Sequence, residues 1–231
     1  MANSESPKLV LHYLNDSRSQ RVLWLLEELE VPYEIQKWHR GPDLLAPKEL
    51  AEIHPLGTAP IITVGDDITI AESGAIIDYI VKNYGNGKVN VPASGALDDV
   101  FYTHYSEGTL MPLLVNHLVF SLIPARSPCI IRPLLRVVFN SLTGVLVTPR
   151  LKVQARMIED HLSKSGDWIA GGDGPTSADY MMSFPLETMV TRAADFLGPK
   201  SLEYIQRIHN RPAFQRALTK GGEYKYAKAA L

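Results

Sequence analysis

Apolar and polar positions keep two alternating rhythms over the first third of the chain and then settle into a single helical one. Lys8 to Leu14 is an apolar run of strand length, and Ser17 to Leu29 puts Val22, Leu25, Leu26 and Leu29 on one face of a helix. Tyr33 to Lys37 reads as a second strand, opened by Pro32, because proline suits the first position of a strand and not a helix interior. A weaker helix over Pro47 to Ile53 follows a loop marked by Gly41 and Pro42. Pro60 to Val64 and Ile68 to Ala71 are apolar runs separated by Gly65, Asp66 and Asp67, which is a hairpin signal. Ser73 to Asn83 then reads as a helix, giving the order βαβαββα.

Glycine, asparagine and proline accumulate after Tyr84, at Gly85, Asn86, Gly87 and Pro92, and mark a linker over residues 85–92. Beyond it helical spacing governs Leu97 to Val119, Thr148 to Ser163, Ser177 to Phe196 and Ser201 to Asn210, with no convincing strand pair. The chain therefore divides into an α/β domain over residues 1–84 and an all-helical domain over 93–231. No internal repeat, heptad array or low-complexity tract interrupts this plan.

A length of 231 residues suits two modest domains, and 45% apolar with 21% charged residues excludes a disordered or fibrous chain. Twenty-three basic against 25 acidic side chains leave a net charge of −2, which offers nucleic acid no wholesale attraction. The single cysteine, Cys129, can form no internal disulfide, so a reducing compartment, the cytosol, is expected. Met1 to Lys8 lacks the basic start and apolar core of a signal peptide. In the most apolar region Arg126, Arg132 and Arg136 interrupt the roughly 18 uninterrupted apolar residues that a membrane span requires.

Several chemistries fall away at once. The histidines at 12, 39, 54, 104, 117, 161 and 209 have no paired helical spacing and no companion cysteines, so no metal site is expected. No phosphate-binding glycine pattern is complete, and Ser73 in Glu72-Ser73-Gly74 lacks the preceding glycine of a hydrolase elbow.

Four local signatures remain, in order along nearly the whole chain. They are Ser17-Arg18-Ser19-Gln20-Arg21-Val22 after the first strand, His54-Pro55-Leu56-Gly57-Thr58-Ala59-Pro60, Ala71-Glu72-Ser73, and Thr176-Ser177-Ala178-Asp179. With the βαβαββα order they resemble the soluble glutathione transferases of the serine type, fungal and bacterial forms with an HPLGxxP loop and an AES motif. That resemblance implies a thioredoxin-like domain followed by a helical domain, and a homodimer. It implies glutathione as co-substrate without a further cofactor, and detoxification by attack of the glutathione thiolate on a hydrophobic electrophile or a hydroperoxide. Ser17 would be the catalytic residue, and Ser17, Ala59, Pro60, Glu72 and Ser73 the glutathione-binding set, with the Ala59-Pro60 bond cis. The electrophile would lie against Tyr102, Tyr105 and Met111.

Each motif also has a structural reading. Ser17 with Gln20 is a Ser-x-x-Gln capping box; Glu72 and Ser73 suit the start of a helix; Asp179 belongs to a capping box and to folding alone. The functional readings are compatible with these. A hydroxyl at a helix N-terminus sits where N–H groups and the dipole favour an anion such as a thiolate. Glu72 can pair with an ammonium while Ser73 takes a carboxylate, which together hold an amino-acid zwitterion.

The sequence departs from the family at three points. Tyr13 lies near the tyrosine of other classes but inside the strand pattern, as a packing residue. No obvious partner for the glycyl carboxylate precedes Pro60, so His39, Arg40 and Lys48 are the candidates. The apolar segment near 121–147, with Pro124, Pro128, Pro133 and Pro149 among its arginines, reads as an insertion. It is expected to extend both flanking helices and to be buried against a partner subunit or the electrophile cleft; peripheral docking on a membrane surface is the rival. A non-catalytic protein that binds glutathione or hydrophobic ligands on the same fold is the alternative function.

Overall fold

The computed structural model describes residues 8–227, so the polar N-terminus up to Pro7 lies outside the described residues. Four strands, β1 (Leu9–Leu14), β2 (Glu34–Trp38), β3 (Ile61–Val64) and β4 (Ile68–Ala71), form one sheet in the order β2-β1-β3-β4. β1 runs parallel to β2 and antiparallel to β3, with Leu11 opposite Ile35 on one side and Ile62 on the other. The β1–β2 crossover carries helix α1 (Ser19–Leu29), α2 (Leu50–Ile53) leads to β3, and α3 (Ser73–Tyr84) follows β4. No regular element occupies residues 85–92.

From Ala93 on, the regular elements of the described residues are helical: α4 (Ala96–Tyr105), α5 (Met111–Arg126), α6 (Arg132–Leu142), α7 (Thr148–Ser165), α8 (Ser177–Arg192), α9 (Pro199–His209) and α10 (Pro212–Gly221). Single π-helical turns, Ser106–Leu110 and Thr143–Val147, join α4 to α5 and α6 to α7 into two long rods. Their cause is local. Pro112 and Pro149 follow the two turns at the same offset, and neither has an N–H for the carbonyl four residues back. The ladder slips there by one residue, so that Met111 N–H bonds Ser106 O and Thr148 N–H bonds Thr143 O.

The two domains share one apolar core. Trp24 of α1, fully buried, meets Tyr180 of α8 at 4.6 Å and Phe214 of α10 at 5.8 Å between ring centroids. Helix α10, which apolar spacing alone did not predict, is clamped onto α1 by charge: Arg216 and Lys220 bind Glu27, and Arg211 binds Glu28. The expected capping box at α8 forms, and Asp179 also accepts Ile169 N–H (3.0 Å) and the Tyr204 hydroxyl (2.7 Å).

Two expectations are corrected. The segment near 121–147 extends the helices as expected but is not buried over a cleft: α5 and α6 form an antiparallel hairpin, and α6 buries no residue. Length and composition would let both rods, Ala93–Arg126 and Arg132–Ser165, cross a membrane, although no uninterrupted apolar run exists. Their inner ends pack in the core through Tyr105, Leu114, Leu151 and Ile158, so the rods belong to the folded domain.

Candidate functional site

The loop between β1 and α1 carries Ser17, which is almost wholly buried. Its hydroxyl donates to Leu14 O at 2.7 Å, accepts Ser19 N–H at 3.1 Å and shares a 2.9 Å hydrogen bond with the Ser19 hydroxyl. Asp16 just before it takes a left-handed φ of 49°, which turns the chain sharply out of the strand. The expected Ser17–Gln20 capping box does not form. Gln20 accepts the Tyr13 hydroxyl at 2.9 Å, and that buried phenol, one strand position inside the loop, draws the amide away from the helix start. Burial pushes the Tyr13 phenol well above its ordinary range, as suits a packing residue.

Arg21, third residue of α1, is fully enclosed, and one guanidinium nitrogen, Nη1, makes three contacts. It donates to Ser73 Oγ (3.0 Å) and to Glu107 Oε1 (2.7 Å), and it approaches the Met181 sulfur (3.5 Å). Nε and Nη2 have no partner among the described residues. Arg18 Nε donates to both oxygens of the same Glu107 carboxylate at 2.9 Å. Burial raises the Glu107 carboxyl, but the charges of Arg21 and Arg18 outweigh it and hold the group below the ordinary carboxylate range. Glu107 sits in the first π turn, and sequence reading did not find it. A lone acid in a long apolar helix gives no signal unless the slip caused by Pro112 is recognised.

Glu72 and Ser73 stand where β4 gives way to α3. Glu72 is exposed, with a left-handed φ of 70° that no glycine relieves, and Ser73 is buried as the first residue of α3. Because Ser73 accepts from Arg21, its own proton stays free to donate outward. The Ala59-Pro60 bond is cis, as the resemblance implied, with Ala59 partly exposed beside Ile61. Arg21 thus ties the first turn of α1 to the first turn of α3, so two helix N-termini face one region.

A cavity of about 880 Å³ opens between the ends of β1 and β2 and the C-terminal segment; it reaches Asp16, next to Ser17, but Ser17, Arg21, Ala59, Pro60, Glu72 and Ser73 do not line it. Its lining includes Asn15, Asp16, Trp38, His39, Gly222 and Tyr224. The segment over it is pinned by Lys225 N–H to Asp16 (2.6 Å), the Tyr224 hydroxyl to Glu187 (2.5 Å) and Arg192 to the Tyr226 hydroxyl (2.9 Å). Tyr102, Tyr105 and Met111, the expected electrophile set, are buried in the helical domain away from this cavity, and Tyr102 lines another, of about 580 Å³, with Val153, Met157 and His161 of α7. Tyr102 meets the His161 ring at 4.5 Å between centroids, tilted by 42°, and Tyr105 donates to Gln154 at 2.8 Å, because their face of α4 turns toward α7. Among the glycyl-carboxylate candidates, His39 lines the cavity, Arg40 donates to Leu44 O (3.0 Å), and Lys48 is exposed before α2.

Residues 17–83 match a family model described as "Glutathione S-transferase, N-terminal domain". Glutathione S-transferase 3 of Schizosaccharomyces pombe is 34% identical over 218 residues, which is 92% of this chain and 87% of that one. Glutathione S-transferase 1 of Saccharomyces cerevisiae is 32% identical over 209 residues, 87% and 88% of the two chains. A solved glutathione S-transferase from Actinobacillus pleuropneumoniae superposes with a TM-score of 0.72 at 27% identity, over 95% of this chain and 96% of that one.

Proposed function

The chain belongs to the glutathione S-transferase family, and from that premise we propose that it joins the glutathione thiolate to a hydrophobic electrophile or a hydroperoxide oxygen. Arg21 carries the reading, because its bond to Ser73 ties the start of α1, next to the Ser17 loop, to the start of α3. Glutathione lies extended against the backbone of Ala59 and Pro60, pairing strand-fashion. Its γ-glutamyl end meets Glu72, whose carboxylate takes the ammonium, and Ser73, whose proton and helix N-terminus take the carboxylate. The thiol then lies by Ser17, the serine of a serine-type site.

Ser17 acts by exchanging acceptors. Its proton leaves Leu14 O for the sulfur, because a hydrogen bond to an anion is about twice as strong as one between neutral groups. The electrophile occupies the cavity under the C-terminal segment, in place of the Tyr102, Tyr105 and Met111 region. Glutathione is the co-substrate and no further cofactor takes part. The protein acts in the cytoplasm, as a homodimer.

One observation favours a second reading, a non-catalytic glutathione carrier: the Ser17 proton already has a partner in Leu14 O. Incubation with reduced glutathione and a panel of aryl halide, isothiocyanate and hydroperoxide substrates separates the two. Transfer above the spontaneous rate on one class or more is expected. Retention on glutathione-agarose without turnover on any class would establish the carrier.

A further inference from the structure

From Gly108 to Ile158 the sequence contains no aspartate or glutamate, although the whole chain has a net charge of −2. The same stretch carries Arg126, Arg132, Arg136, Arg150, Lys152 and Arg156. It forms the α5–α6 hairpin and the start of α7. Phe120 against Phe139, 5.5 Å between centroids, holds the two arms together, and Arg132 closes the turn by donating to Ser127 O at 2.9 Å. Cys129 and Ile130 stand exposed at the tip.

The outer side of this hairpin is apolar. Leu134 is 67% exposed, and Val137 and Val145 are each 70% exposed, along α6 and the π turn after it. Val115, Val119 and Ile123 add an exposed stripe at four-residue spacing along α5. Around α6 the apolar arc is wider than the part that packs on α5, while Arg132, Arg136 and Asn140 share the remaining side. Among the described residues, Arg126, Arg136 and Arg150 make no ion pair.

We propose that the α5–α6 hairpin is a docking surface for an anionic lipid bilayer, lying in its interface with the apolar side inserted and the arginines at the phosphates. A second copy of the chain fits this surface poorly. A two-fold interface sets each patch against itself, and here it would bring unpaired arginines against unpaired arginines with no acid to offset them. An anionic surface offers the complementary charge together with an apolar layer. The hairpin does not span the membrane. Its sixteen-residue arm α5 is about 24 Å long, short of a hydrocarbon core of about 30 Å, and Arg126 and Arg132 would have to pass through first.

Cys129 makes the test direct, since a polarity-sensitive fluorophore attached there labels one site at the tip. The labelled full chain is titrated with vesicles of phosphatidylcholine alone and of phosphatidylcholine with phosphatidylserine. We expect a blue shift and co-sedimentation only with the anionic vesicles, weakened by salt. Arg126→Gln with Arg136→Gln should weaken binding roughly thirtyfold, about fivefold for each charge. Leu134→Glu with Val137→Glu, both at exposed positions that the fold tolerates, should abolish it and leave glutathione transfer in solution unchanged. No shift with anionic vesicles would overturn the proposal. So would an effect of the glutamate pair on dimer dissociation without lipid, which would show a second copy on this face.

Discussion

At the scale of single residues, the site depends on side chains whose neighbours in space are far apart in the chain. Glu72 and Ser73 were legible as the start of α3, because an acid followed by a serine before an apolar helix suits a helix N-terminus. The bond from Arg21 to Ser73 was not, since the two residues are 52 positions apart. Ser17 was legible as a residue and misread in its local bonding, because Gln20 answers the Tyr13 hydroxyl instead of closing a capping box. With Glu72 exposed and Ser73 buried on Arg21, their proposed partners are the charged ends of glutathione. Glu72→Ala should weaken glutathione binding by roughly 1.5 to 3 kcal/mol, the range for hydrogen bonds to charged groups, with a smaller effect on turnover at saturation. Calorimetric titration measures it, and wild-type affinity in the variant would leave Glu72 as the start of a helix and nothing more.

Among the elements, the strands, the hairpin and the cap of α8 were read correctly, because local chemistry dictates them. The alternation in β1, the loop between β3 and β4, and Thr176 with Asp179 all stand in the structure. Elements held by partners distant in sequence were missed. Helix α10 has a short amphipathic pattern and is fixed by its cations on Glu27 and Glu28. The helical stretch expected over Leu97 to Val119 does form as one rod, but the π turn inside it, which aims Glu107 at Arg21, was not legible.

That carboxylate makes the turn testable. Its folded pKa lies below the ordinary value of about 4.3, so its contribution to stability is complete above that pH. It is lost as pH falls through the lower folded value. Glu107→Gln leaves Arg21 buried without its counter-charge and should cost about 3 kcal/mol at neutral pH, the lower end for a broken buried pair because Glu107 keeps some solvent contact. Urea midpoints of the two proteins should converge as pH is lowered into that acid window. A gap that stays constant with pH would remove the ion pair from the account.

At the scale of the whole molecule, the order βαβαββα followed by helices was legible because each element follows from short-range periodicity. The cavity was not, because it is built from the ends of β1 and β2 and from a C-terminal segment some two hundred residues later in the chain. Periodicity likewise gives α4 its apolar face and does not say which neighbour that face meets, so the packing of Tyr102 and Tyr105 on α7 was not legible either. What the assembled molecule has to accomplish is to make glutathione a thiolate at neutral pH. The acceptor exchange proposed at Ser17, worth about 1.5 to 3 kcal/mol as a hydrogen bond to a charged group, would lower the bound thiol by about one to two pKa units. The direct measurement is the ultraviolet thiolate absorbance of the glutathione complex, titrated against pH in wild type and in Ser17→Ala. The account predicts a bound thiol titrating at least one unit below free glutathione in the wild type, and a return most of the way to the free value in the variant. An identical titration in both would mean that the Ser17 proton never leaves Leu14, and would contradict it.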